Sequence, residues 1–294
     1  MRSEAQRRAQ QAVGEAMQSR LHPEADDEQS DEAEHAPPPC DVGLVFALGI
    51  ESGGLVDLLS NQIVTRGAGF IARRGTLDGR QIVVIESGVG EQRARKATDA
   101  LLAGHHPQWI ISAGFAGGLD PTLAQFDLLV ANSVANEAGQ RLAIDLKLEP
   151  TAGMHVGRLL STDHIVHAPD ERAALRAAHD ALAVDMESFA VAEACQRARA
   201  RFLCIRAISD TADQELPADL AHLMNQTSLS GQAGAVLGSV FRRPKSVKDM
   251  WRLREDALVA SDRLAQFLRK IIVQLAPEPP HETPRKSSSS DETE

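Results

Sequence analysis

The chain has 294 residues, a formal net charge of −10, 43% hydrophobic residues and only three cysteines. That is enough apolar sequence for one substantial core, and the acidic balance argues against a general nucleic-acid binder, which needs clustered Lys and Arg. No leader-like apolar segment follows Met1, and no apolar run approaches the roughly 20 residues of a membrane span, so the expected location is cytoplasmic with no membrane span.

The ends differ from the middle. Residues 1–40 carry the acidic run Glu24 to Glu34 and then Pro37-Pro38-Pro39, and residues 277–294 are mostly Pro, Ser and charge. Such composition cannot bury enough apolar surface to offset ordering entropy, so both are expected as disordered tails around a domain at 41–276. Within it, short β-branched runs alternate with longer helical ones, an α/β pattern. Strands are predicted at 42–48, 69–74, 81–86, 109–113, 127–134 and 202–208. Helices are predicted at 91–103, 169–182, 187–200, 219–241 and 246–275. Pro169 with Asp170 and Glu171 behind it suits a helix start, and the last helix has Leu253, Ala257, Ala260, Leu264, Phe267 and Ile271 on one face.

Two glycine clusters, Ser87-Gly88-Val89-Gly90 and Gly114-Phe115-Ala116-Gly117-Gly118, follow predicted strands. Glycine lets backbone N–H groups approach a ligand, but neither cluster forms a dinucleotide-binding fingerprint. Cys40, Cys195 and Cys204 have no metal-like or paired spacing, and the last two read as small buried residues. Arg242-Arg243-Pro244-Lys245 is the one basic cluster of note and reads as a solvated helix face.

Chemistry concentrates between Val184 and Gln214. Asp185-Met186-Glu187-Ser188 breaks one apolar run, and a strand-like segment delivers Ser209-Asp210 at its carboxyl end, where α/β sheets bind ligands. Taken with Phe46-Ala47-Leu48-Gly49-Ile50-Glu51, the two glycine clusters, Ser161-Thr162-Asp163-His164-Ile165-Val166 and Arg206-Ala207-Ile208, the chain resembles the nucleoside phosphorylase/nucleosidase superfamily. It is most similar to the methylthioadenosine/S-adenosylhomocysteine nucleosidase branch.

The resemblance implies a single α/β domain with a mixed, partly barrel-like sheet surrounded by helices. It also implies hydrolysis of the N-glycosidic bond of a purine nucleoside in methionine salvage, no metal or organic cofactor, and a homo-oligomer, a dimer. Asp210 is then the candidate acid that protonates the departing base, with Ser209 orienting it. Glu187 would accept from the ribose hydroxyls, with Met186 against the ribose face and Asp185 in a structural role. Glu51, read at the end of the first strand, would take a proton from water. Ala47, Val89, Phe115, Ala116, Gly117 and Val166 complete the expected substrate contacts. Blander roles exist for each acid: a turn cap for Asp210, a dipole-complementing helix acid for Glu187, a solvated loop acid for Glu51.

Two departures bear on the substrate. Ile165 stands where the family often has an aromatic that stacks on adenine, and Phe115 stands where smaller residues are common. An adenosylhopane-type or futalosine-type substrate fits the same logic. A phosphate-dependent phosphorylase recruiting Arg93, Arg95 or Arg206 is the competing reaction, and an inactive nucleoside-binding protein is the competing class.

Overall fold

The computed structural model describes residues 40–67, 69–145, 147–216 and 244–275, with side chains from 254 onward in the last segment. The expected disordered tails, the helix expected at 219–241 and most of the basic cluster at 242–245 lie outside the described residues. Cys40, assigned to the tail by composition, is 2% exposed. Its N–H donates to the His105 carbonyl at 3.1 Å, so the packed body already includes it.

Among the described residues ten strands form one mixed sheet. They are β1 (Val42–Phe46), β2 (Ser60–Gly67), β3 (Phe70–Leu77), β4 (Arg80–Glu86), β5 (Trp109–Gly118), β6 (Leu128–Asn136), β7 (Arg141–Ala143), β8 (Met154–Ser161), β9 (Ala183–Asp185) and β10 (Arg201–Asp210). Five of them close a ring, β10-β6-β8-β9-β5, because β5 also pairs in parallel with β10 from Trp109↔Arg201 to Gly117↔Asp210. An arm, β1-β4-β3-β2, extends from β5. The expected partly barrel-like sheet is therefore present.

Burial explains which strands read clearly. β1 pairs in parallel on both sides, and all five of its residues are buried, the continuous apolar pattern of an internal parallel strand. β2 is the outer edge of the arm, and every residue in it is exposed. β5 runs on past the predicted end at Ala113. Gly114 to Gly118 is paired strand rather than a turn, because β10 and then β9 supply partners along it.

Helices cover this sheet: α1 (Gly49–Val56), α2 (Glu91–His105), α3 (Pro169–His179), α4 (Ser188–Ala198) and α5 (Pro244–Gln274). α3 starts at Pro169 as expected and stops at Asp180, which adopts the left-handed conformation with φ 49°. Ala260, Leu264, Leu268 and Ile272 form the buried stripe of α5. That stripe packs on α1 and β10. α1 is a helix that the sequence hides, since Gly53 and Gly54 lie inside it. A Cβ on Gly54 would sit 2.9 Å from the Ser261 carbonyl oxygen, so the glycine lets α5 lie against α1. Among the described residues, no helix is long and apolar enough to cross a membrane.

Candidate active site

Residues at the carboxyl ends of β1, β4, β8, β9 and β10, together with the second half of β5, surround a cavity of about 290 Å³. All eleven sequence-derived site residues line it: Ala47, Glu51, Val89, Phe115, Ala116, Gly117, Val166, Met186, Glu187, Ser209 and Asp210. Ile165 lines it too, and so do Gln125, Asp256, Ala257 and Ala260, which sequence reasoning did not assign to the site.

Glu51 is not at the end of β1. It is the third residue of α1, and its carboxylate reaches back to the chain entering the helix. Oε2 accepts from the N–H groups of Ala47 at 3.0 Å and Leu48 at 2.8 Å, which satisfies two donors at the helix start. Oε1 accepts from Phe115 N–H at 2.9 Å. Glu51 is buried, which rules out a solvated loop acid. Burial raises its pKa above the ordinary carboxylate value, against the opposing pull of the Phe115 N–H and the Arg206 charge.

Asp185 and Arg206 form a buried pair. Arg206 Nε donates to Asp185 Oδ2 at 2.9 Å, and Nη2 reaches Ser112 Oγ and Ser188 Oγ at 2.8 and 2.7 Å. Asp185 also accepts from Ser161 Oγ at 2.6 Å and Ser188 Oγ at 2.5 Å. Burial opposes the arginine's charge, but Asp185, Glu51 and Glu187 outweigh it, so its pKa lies above the ordinary arginine value. Arg206 Nη1 is buried with no hydrogen-bond partner among the described residues. Nη1 and Glu51 Oε1 are each 2.9 Å from where a Cβ on Gly114 would stand, so glycine there lets the two groups converge.

Glu187 is the residue before α4, and its Oε1 accepts from Gly90 N–H at 2.7 Å. The first glycine cluster therefore contributes a backbone donor, as glycine in such a turn permits. Burial, and then the nearby charge of Asp185, pushes the Glu187 pKa up to about 8.

Asp210 ends β10. Its Oδ1 accepts from Ser209 Oγ. Its Oδ2 lies 2.5 Å from Nη2 of Arg172, a residue on α3 that sequence reasoning missed. Four of the carboxylates in the cavity wall thus fall into two kinds, apart from Asp256 on α5. Asp185 and Asp210 are each matched to a buried arginine. Glu51 and Glu187 are held by backbone N–H groups. Backbone donors orient a carboxylate without supplying a full compensating charge, and these two are the acids whose pKa values burial raises.

Comparison with known proteins agrees with this architecture. The 5′-methylthioadenosine/S-adenosylhomocysteine nucleosidase of Staphylococcus haemolyticus is 25% identical over 218 residues, covering 65% of this chain and 96% of that protein. The enzyme of that name from Colwellia psychrerythraea is 28% identical over 207 residues, covering 60% of this chain and 85% of that protein. A solved structure of the nucleosidase from S. pneumoniae with a transition-state inhibitor superposes with a TM-score of 0.62 at 21% identity, over 80% of this chain and all of that one, and this likeness shows the shared fold. Residues 41–150 and 145–240 match the model of the phosphorylase superfamily, well over half of the sequence, and the chain belongs to that superfamily.

Proposed function

We propose that this protein hydrolyses the N-glycosidic bond of a purine nucleoside of the methylthioadenosine/S-adenosylhomocysteine kind, releasing the base and a ribose derivative. The observation that carries this reading is the division of the cavity's acids into an arginine-matched Asp210 and backbone-held Glu51 and Glu187.

Each acid then has a role its surroundings support. Asp210, oriented by Ser209, acts in its protonated form, giving that proton to N7 of the purine as the bond from the anomeric carbon to N9 breaks and its electrons pass to the base. The sugar develops oxocarbenium character, as in other glycoside cleavage. Glu187 has one oxygen on Gly90 N–H and keeps the second for the ribose hydroxyls. Water attacks the anomeric carbon and its proton passes to Glu51. A carboxylate offers about four acceptor sites, and three backbone donors occupy three of them, which leaves one for that water. A raised pKa makes Glu51 a better base near neutrality, and the unpartnered Arg206 Nη1 beside it is placed to help hold the same water.

Water is favoured over phosphate because Arg95 and Arg206, two of the three cationic side chains proposed for phosphate, are paired with carboxylates. Arg206 serves Asp185, and Arg95 serves Glu91 and Glu193. Arg172, which lines the cavity, serves Asp210. Phe115 and Ile165 in the cavity wall would set the fit of the base, and Ala257 and Ala260 of α5 supply apolar surface for a 5′ substituent. Residues 41–276 are proposed as the catalytic domain of a cytoplasmic homodimer. Three cysteines buried as free thiols suit a reducing compartment.

The test is base release from methylthioadenosine, adenosylhomocysteine, inosine and futalosine, each with and without phosphate. Release from the first two without phosphate is the expected result. Product formed only with phosphate overturns the hydrolase assignment, and no release from any of the four overturns the enzymatic reading.

A further inference from the structure

Among the described residues Arg172 is the largest fully buried side chain, 1% exposed. Three backbone carbonyls hold it: Nη1 donates to Gly118 at 3.2 Å and Thr211 at 3.1 Å, and Nη2 to Val166 at 3.1 Å. These carbonyls come from the end of β5, from the residue after β10 and from the segment before α3. Among the described residues the only carboxylate paired with it is Asp210, an ion pair at 2.5 Å in which Oδ2 accepts no hydrogen bond. The second half of β5 is shaped around this contact: a Cβ on Gly117 would lie 3.0 Å from Asp210 Oδ2 and 3.2 Å from Arg172 Nη1. A buried cation tied only to carbonyl dipoles and one acid is costly unless that acid carries charge when it matters.

We propose that Arg172 is a positioning residue for the proton transfer, holding Asp210 Oδ2 and stabilising the carboxylate that forms as the Asp210 proton moves to the purine. This deepens the hydrolase reading and rests on it. The proton leaves Asp210 for N7, the C1′–N9 electrons move into the base, and the new negative charge on Asp210 appears beside a fixed guanidinium. In the complex that starts with Asp210 protonated, that charge develops along the reaction, so the arginine favours the transition state over bound substrate. Its hydrogen bonds to Gly118, Val166 and Thr211 keep it from moving to meet the charge, so the arrangement is ready before the substrate arrives.

A purely structural arginine would lower all activities together, so the leaving group separates the two roles. Arg172→Met and Arg172→Lys would be assayed on methylthioadenosine and on the p-nitrophenyl 5-methylthioriboside, whose nitrophenolate departs without a proton. Comparing two substrates in one preparation cancels any loss of folded protein. The expected result for Arg172→Met is a fall in kcat of about 100-fold on the adenine nucleoside and under about 3-fold on the nitrophenyl riboside, with KM little changed. Arg172→Lys, which keeps the charge, should recover part of the loss and serves if the methionine variant does not fold. Equal losses on both substrates, or a KM effect with kcat intact, overturn the proposal. If the nitrophenyl riboside is not cleaved by the unmodified enzyme, the kcat against KM split on methylthioadenosine decides alone. Failure of the unmodified protein to release adenine would instead count against the hydrolase reading itself.

Discussion

The N–H of Phe115 donates to Glu51 Oε1 at 2.9 Å, joining the first turn of α1 to the middle of β5 across 64 positions of sequence. This bond fixes the acid proposed as the base against the strand that also forms one wall of the cavity. Residues on either side of it can therefore be tested for the precision they impose.

Gly114→Ala places a methyl 2.9 Å from both Glu51 Oε1 and Arg206 Nη1. Crowding of this kind costs about 1–3 kcal/mol, and displacing a reacting group by about 1 Å can cost 100-fold in rate. The variant should unfold at lower denaturant and lose at least about 10-fold in kcat, by chemical denaturation and base-release assay.

Glu51→Gln keeps the shape of the side chain but removes the base. Hydrolysis should fall by about 100- to 10,000-fold, while inhibitor binding, measured by calorimetry, persists. Full hydrolysis by this variant would remove Glu51 from its proposed role.

Glu187 sets a pH signature on stability. It keeps its proton up to about pH 8 in the folded protein and only to about 4.5 when unfolded. Between those values the folded state binds more protons, so this residue's contribution to stability is whole below about pH 4.5 and is lost as pH rises toward about 8. Glu187→Gln should therefore raise Tm relative to the unmodified protein at pH 8, and the advantage should vanish near pH 4 in a thermal-melt series. An unchanged difference across that range would contradict the burial described for this acid.

Asp185→Asn leaves the buried Arg206 without its carboxylate partner, a change that typically costs about 3–5 kcal/mol. Adding Arg206→Met should restore part of that stability, so the double variant should lose less than the sum of the singles. Additive losses in a double-mutant cycle would mean that the two groups do not act as a pair.

The three thiols give a direct check on packing. Burial pushes Cys40 and Cys195 up to about 12 and Cys204 up to about 11. The native protein should take up no thiol-specific label at pH 8, and three equivalents should react after denaturation.

The sequence revealed the internal strands and the site acids for different reasons. β1, β4 and β10 are dense apolar runs because sheet and helices cover them, and burial writes itself into composition. The edge strand β2 carries Ser, Asn, Gln, Thr and Arg facing solvent, β9 has only three residues, and β8 contains Gly157, so none has a strand-like pattern. Gly157 is required there because a Cβ would meet Leu182 at 2.3 Å. Glu51, Glu187 and Asp210 were recognisable through the residues around them. Arg172 was not, because one arginine in the polar first turns of α3 looks like any solvated charge until the helix is docked. Only the tertiary fold shows that it points inward.

Closure of the strand ring has a last consequence, for motion. Asp210 and its neighbours sit on β10, which is hydrogen-bonded to β5 along one side and to β6 along part of the other. Opening that stave would break two ladders at once, so its amides from Ile205 to Ala207 belong among the slowest to exchange with solvent. The acid end of the cavity is thus part of the frame, and adaptation to new nucleosides falls to α5 and the segment around Ile165, which lie outside the ring.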